Sequence, residues 1–239
     1  EAFICAGVES MTRVVRGGSN PSPNPRFMRP GHEGWDIAAE AYISMGETAE
    51  NVASLYNVSR ADQELLAYQS QQKAAAAQAA GRLVDEIVPI ETPAGLVDSD
   101  GCIRAGTTLE GLAGLKPAFR PDGTVTAGTS SPLTDGASAV LVTSEAFAEK
   151  HGLNVLARIR STAVAGCGPE IMGMGPVPST LKALARAGIK AGDLDVVEIN
   201  EAFGSQSVAC LRELGIPMDV VNLDGGAIAL GHPLGSTGA

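Results

Sequence analysis

The feature that most restricts the fold lies near the end of the chain. A short apolar run, Val196-Val197-Glu198-Ile199, passes through Asn200-Glu201 into a helical stretch from Ala202 to Leu214 that stops at Gly215. A strand that turns at once into a helix belongs to layered α/β architecture, where each helix carries the chain back across a sheet. The same alternation starts at Ser138. Ala139-Val140-Leu141-Val142 reads as a buried strand, Ser144 to His151 as a helix stopped by Gly152, and Leu156 to Val164 as a long strand. Ser179 to Ala187 follows as an amphipathic helix, with Leu181, Leu184 and Ala185 on one face and Gly188 behind it.

The first half is less regular. Residues 2–8 are too apolar and too short for a surface helix and read as a buried strand. Residues 12–35, rich in Gly, Pro, Ser and Asn, read as loop. Helices are expected over Met45 to Tyr56 and Ala61 to Ala80. The second has a Ser59/Asp62 capping box at its start and Gly81 where a left-handed cap belongs. Between 84 and 128, short strand-like pieces (Glu86 to Ile90, Cys102 to Arg104) alternate with turns. Soft boundaries fall near 128–138 and near 153. The chain opens without Met inside an apolar run and closes on a glycine-rich segment where a helix is expected to begin, so both ends read as cuts through a larger protein.

Composition narrows the function. A net charge of −10 with no basic run disfavours a nucleic-acid partner, and no apolar stretch reaches the ~20 residues of a membrane helix. The four cysteines (Cys5, Cys102, Cys167, Cys210) have neither metal-ligand nor disulfide-framework spacing. No metal site is expected, and a reducing compartment is: the cytoplasm, with an organelle matrix as the alternative.

Two segments carry candidate chemistry. In Gly225-Gly226-Ala227-Ile228-Ala229-Leu230-Gly231-His232-Pro233, Pro233 fixes its own φ and restricts His232, so the imidazole is aimed. A glycine-rich anion loop is the alternative, although the Lys-Ser/Thr of a P-loop is missing. In Asn200-Glu201-Ala202-Phe203, a strand end delivers Asn200 where open α/β sheets bind ligands. Such an Asn can hold a water or stabilise an oxyanion, or simply cap the helix.

Together, Asn-Glu-Ala-Phe and the downstream Gly-His-Pro resemble the motif pair of the thiolase family. Gly7-Val8-Glu9-Ser10-Met11, Ser44-Met45-Gly46-Glu47-Thr48-Ala49-Glu50-Asn51, Asp85-Glu86-Ile87-Val88-Pro89, Thr124-Val125-Thr126-Ala127-Gly128 and Gly173-Met174-Gly175-Pro176 extend the resemblance along the chain. It implies a layered α/β/α/β/α fold, seen incompletely, with residues 1–11 and 129–152 in the N-terminal domain, 12–128 as an inserted loop domain and 153–239 in a truncated C-terminal domain. It also implies a 3-ketoacyl-CoA thiolase, an acyltransferase that forms a homodimer or homotetramer at full length. Coenzyme A and acyl-CoA would be substrates, with no permanently bound cofactor.

By the same resemblance, His232 activates a nucleophilic cysteine outside this chain and, with a water held by Asn200, polarises the thioester carbonyl. A thiol needs such a base to become a thiolate. Arg104 would meet nucleotide phosphate, Met45, Leu115 and Phe203 the pantetheine arm, and Ala127 and Ser131 its amides. Arg104 has an ordinary surface ion pair as its alternative role. Two positions depart from the family pattern. Ser44 stands where the acetoacetyl branch often has His, which favours the degradative 3-ketoacyl branch, and Gly111 replaces a Ser able to contact the nucleotide. The rival readings are a ketoacyl-synthase-type condensing enzyme and a non-catalytic coenzyme-A-binding scaffold.

Overall fold

A computed structural model describes residues 1–14 and 40–239. Strand β1 (Ala2–Ser10) pairs antiparallel with β4 (Asp135–Thr143), from Ala2 opposite Thr143 to Ser10 opposite Asp135. This ribbon closes the long excursion between its two strands. Within the excursion, β2 (Ile90–Thr92) and β3 (Gly95–Val97) form a small hairpin. From residue 15 onward, most of the loop expected over 12–35 lies outside the described residues.

The helices start and stop where side-chain chemistry dictates. Helix α1 (Met45–Leu55) is capped by Ser44, whose hydroxyl accepts from the Glu47 amide. Helix α2 (Arg60–Ala79) has the full capping box: Ser59 Oγ accepts from Asp62 N at 3.1 Å, and Asp62 Oδ2 accepts from Ser59 N at 3.0 Å. Helix α3 (Leu109–Ala113) begins at Thr108. The Arg60 guanidinium meets its terminal carbonyls, donating to Leu112 O and Ala113 O at 3.2 and 3.0 Å. Helices α4 (Glu145–His151), α5 (Pro176–Ala187) and α6 (Gly204–Leu214) each end on a left-handed glycine: Gly152, Gly188 and Gly215. Helix α7 (Ala227–Leu230) is a single turn.

The core forms around α6, which is buried continuously from Gly204 to Leu211. Small residues there allow close packing. Gly204 lies against the Gln63 backbone of α2, and Ser205 Oγ donates to Ala49 O of α1 at 2.9 Å. Val208 and Cys210 join Val52, Leu66, Met174 and Ile228 in the main apolar cluster, while Leu211 and Leu214 pack with Ile216 and Val221. The alanine run of α2 packs just as tightly. Gly225, at φ +88°, sits so close to Ala74 that an added Cβ would meet the Ala74 Cβ at 2.5 Å.

Several expected strands take another form. Residues 2–8 form a strand but not a buried one, with Ile4 at 79% and Val8 at 74% exposed. Leu156 to Val164 pairs with no strand among the described residues, and Leu156 is 92% exposed. Val196 to Ile199 is reduced to one parallel bridge, Val197 with Val221. Glu86 to Ile90 becomes a strand only at Ile90, and Cys102 to Arg104 forms none. The reason is common to all of them. Apolar β-branched runs suit a strand, but its amides and carbonyls need a neighbouring strand, and burial needs an opposing layer.

Candidate active site

A cavity of about 640 Å³ opens between the start of α1, the segment leading into α6 and the loop after α7. Met45, Gly46, Ala49, Phe119, Ala127, Ser131, Met172, Asn200, Phe203 and His232 all line it. One wall is aromatic: the Phe119 and Phe203 rings stand edge to face with centroids 5.9 Å apart. Gly46 makes room for that pair, since a Cβ there would lie 2.0 Å from the Phe119 ring. A bridge between Ser130 and Phe203, with Ser131 N donating to Ala202 O at 3.0 Å, holds the two sides together.

Asn200 and His232 meet on this wall. Asn200 Nδ2 lies 3.3 Å from His232 Nε2 and 3.4 Å from Nδ1. A group almost equidistant from both ring nitrogens at this range sits over the ring face, so the in-plane lone pairs go elsewhere. The backbone of His232 is fixed from behind. Its amide donates to Thr134 Oγ1 at 3.1 Å, and Gly231, at φ +104°, presses so close to the Thr134 side chain that a Cβ would not fit. Partial burial disfavours the imidazolium and lowers the His232 pKa below the usual histidine value. The ring is thereby kept as a neutral base near neutral pH.

The joint between the two segments is a buried carboxylate. Glu201, 3% exposed, accepts from Ser70 Oγ at 2.6 Å, Asn222 Nδ2 at 2.8 Å and Ile228 N at 3.2 Å. Asn222, in the left-handed region at φ +45°, also exchanges bonds with the backbone of Ile199. Gly226 has to be glycine here, because a Cβ would fall 2.2 Å from the Glu201 carboxyl carbon. Desolvation raises the Glu201 pKa against the pull of these donors.

Further along, the His232 loop is stitched to the β1–β4 ribbon. Ser138 Oγ lies 2.9 Å from Ser236 Oγ and donates to Ser236 O at 2.8 Å, and Gly235 N donates to Glu9 Oε2 at 3.1 Å.

Of the residues singled out in the sequence, His232, Asn200, Met45, Arg104, Ala127, Ser131 and Phe203 share this cavity. Leu115 is not among its lining residues; its side chain lies beside Gly128, and its carbonyl accepts from Arg60. The Arg104 amide donates to Gln71 Oε1 at 2.7 Å, while its guanidinium has no ion-pair or hydrogen-bond partner among the described residues. None of the four cysteines lines the cavity. Cys5, expected in a core strand, is exposed because the ribbon is uncovered; Cys210 is buried in α6, where desolvation pushes its pKa up to about 11. Sequence reasoning passed over Thr134, Phe119, Met172 and the clamp made by Glu201. Only Glu201 carried a signal, its place beside Asn200. Among the described residues no acidic, histidine and cysteine cluster could hold a metal, and no helix is long and apolar enough to cross a membrane.

Comparison with known proteins gives the same answer along the whole chain. Residues 1–146 match the family model "Thiolase, N-terminal domain" and residues 153–239 match "Thiolase, C-terminal domain". The chain is 50% identical over 249 aligned residues to a 3-ketoacyl-CoA thiolase of Pseudoalteromonas translucida, covering 100% of this chain and 62% of that protein. It is 51% identical over 208 residues to an acetyl-CoA acetyltransferase of Paracoccus denitrificans, covering 85% of this chain and 53% of the relative. Among solved structures, it superposes on the dimeric peroxisomal thiolase of Saccharomyces cerevisiae with a TM-score of 0.92 at 40% identity, covering 100% of this chain and 60% of that one. For human mitochondrial 3-ketoacyl-CoA thiolase in complex with CoA the TM-score is 0.86 at 41% identity, covering 100% and 62%. The chain thus spans about three fifths of the length of such relatives. With the thiolase fold and two matching domain models, this chain belongs to the thiolase family.

Proposed function

We propose that the full-length protein carrying this chain is a 3-ketoacyl-CoA thiolase, cleaving 3-ketoacyl-CoA with coenzyme A or running the reverse condensation. The observation that carries this reading is the Asn200–His232 pair, 3.3 Å apart on the wall of an apolar cavity that also contains Arg104. His232, neutral and half-buried, is suited to take the proton of a nucleophilic thiol and then to donate toward a developing oxyanion. Asn200 supplies a second donor, directly or through a water. Met45 and Phe203 offer apolar walls for a thin pantetheine arm, Ala127 and Ser131 on the same cavity are proposed to meet its amides, and the Arg104 guanidinium, unpaired among the described residues, suits a phosphate. The names of the relatives and the CoA complex of the human enzyme support coenzyme A as substrate.

The nucleophile in this reading lies beyond these residues, which the absence of all four cysteines from the cavity lining supports. Thiolysis of acetoacetyl-CoA and longer 3-ketoacyl-CoAs by the full-length protein tests the reading, with this chain alone as the inactive control. Coenzyme A binding by the full-length protein without any cleavage would favour a non-catalytic scaffold instead. Condensation that proceeds only on carrier-protein thioesters would favour a ketoacyl synthase. We further propose a homodimer in a reducing compartment, the cytoplasm, in keeping with a dimeric relative of the same fold.

A further inference from the structure

One face of α1 holds two walls of the cavity at once. Glu47, Glu50 and Asn51 stand three and four positions apart, so they share that face. Glu50, 4% exposed, accepts from the Thr124 and Val125 amides at 3.0 Å each, and Glu47 Oε2 accepts from Arg120 Nε at 2.6 Å. These bonds fix the turn closed by the Pro117–Thr126 bridge, and Phe119 of that turn lines the cavity. Asn51 reaches further. Its Oδ1 accepts from Arg120 Nη2 at 2.8 Å, while its Nδ2 donates to the Glu170 carbonyl oxygen at 3.0 Å. The two ends of the amide cannot be exchanged, because a guanidinium only donates and a carbonyl only accepts. Glu170 lies just before Ile171, whose φ of −130° and ψ of 33° break the 3₁₀ turn Pro169–Met174. The bond therefore fastens that segment at its kink, and Met172, next along, lines the same cavity.

From this geometry we propose that Asn51 is a positioning residue, tying the Phe119 wall to the Met172 wall and so setting the gap that receives the pantetheine arm. The proposal deepens the coenzyme A reading and rests on it. The tie crosses from residues that match the N-terminal family model to residues that match the C-terminal one. A slender apolar arm gains dispersion energy from contact on both sides, and a gap of about 1 Å forfeits a large part of it. Asn51 does not itself line the cavity, so its effect on a ligand passes through Phe119 and Met172. In the sequence it closes the string Thr48-Ala49-Glu50-Asn51, yet nothing local says that its amide meets a carbonyl 119 positions later.

The test uses the full-length protein and three acetoacetyl thioesters that carry progressively less of the arm: those of coenzyme A, of pantetheine and of N-acetylcysteamine. Asn51→Asp keeps an oxygen toward Arg120 and sets another against the Glu170 carbonyl, so it breaks the cross-tie and spares the other bond. Its loss in kcat/KM should be roughly 10-fold greater for the coenzyme A and pantetheine thioesters than for the N-acetylcysteamine thioester, and should lie mainly in KM. Arg120→Lys, which cannot pair with Glu47 and Asn51 in the same fork, should show the same selectivity more weakly, and it decides the matter if Asn51→Asp does not fold. An equal loss on all three thioesters would make Asn51 a merely structural residue and overturn the proposal, as would unchanged kinetics. A wild-type protein that cleaves none of the three would overturn the thiolase reading, and this proposal with it.

Discussion

The carboxylate of Glu201 accepts a hydrogen bond from Asn222 Nδ2 at 2.8 Å, and through it the residue next to Asn200 holds the start of the loop that ends in His232. The same carboxylate reaches Ser70 on α2 and the Ile228 amide on α7. Substituting Gln would place an amide donor against at least one of these donors. Glu201→Gln should therefore cost about 1–3 kcal/mol of stability, the scale of a buried unsatisfied polar group. It should also depress kcat more than KM by loosening the Asn200–His232 spacing. Denaturant unfolding alongside steady-state kinetics checks both, and a fully stable, fully active variant would remove Glu201 from any positioning role.

His232→Ala in the full-length protein should cut kcat by roughly 10³-fold or more with KM near wild type, since in the proposed reading it removes a general base and an oxyanion donor together. Asn200→Ala should cost less, because a water can enter in its place. Both should retain affinity for coenzyme A by calorimetry. Weak binding with normal turnover would make the glycine-rich loop an anion cradle instead.

The acid limb of activity should follow His232. Because burial lowers its pKa, the neutral base persists as pH falls below the ordinary histidine value and is lost only once pH drops through the lowered one. The acid limb of the wild-type kcat/KM profile should thus be centred below the ordinary histidine value. A fall centred above the ordinary value would contradict the burial of the ring.

Cys210 should resist alkylation in the native protein at pH 8, because it is fully buried and its pKa is pushed up to about 11. In the isolated chain, exposed Cys5 and Cys167 should react. Mass spectrometry after timed labelling distinguishes the sites, and rapid native labelling of Cys210 would show that α6 is not the packed centre of the core.

The chain by itself exposes Ile4, Val8, Leu141, Leu156 and Val164, each more than half accessible. Apolar surface left open along unpaired strand segments promotes association. The isolated 239-residue chain is expected to bind a hydrophobic dye and to sediment as more than one species. A monodisperse monomer with a sharp melt would count against this.

Local chemistry made much of the fold legible. Ser59 with Asp62 marked a helix start, Gly152, Gly188 and Gly215 marked helix ends, and each is confirmed by cap geometry. The Pro-restricted His232 and the strand-end Asn200 stood out because their neighbours limit what they can do. Strand pairing was not legible in the same way. Leu156 to Val164 has the composition of a strand, but partner strands are set by distant residues that no local window contains. The clamp made by Glu201 was hidden for a related reason. Its three donors come from α2, from the turn at Asn222 and from α7, and only folding brings them together.

The stitching of the His232 loop to the β1–β4 ribbon bears on the order in which the molecule assembles. Glu9 meets Gly235 across 226 positions of chain, and Ser138 meets Ser236 across 98. Closing loops of that length is entropically slow, whereas α1 and α2, joined by a short turn, can form early from neighbours. During synthesis, β1 emerges before β4, and the imidazole is anchored only after the segment around Gly235 and Ser236 has left the ribosome and docked onto both. The tethering of His232 is then a late event relative to the α1–α2–α6 core, and a chain ending before Gly235 would hold that core around a histidine not tied to the ribbon.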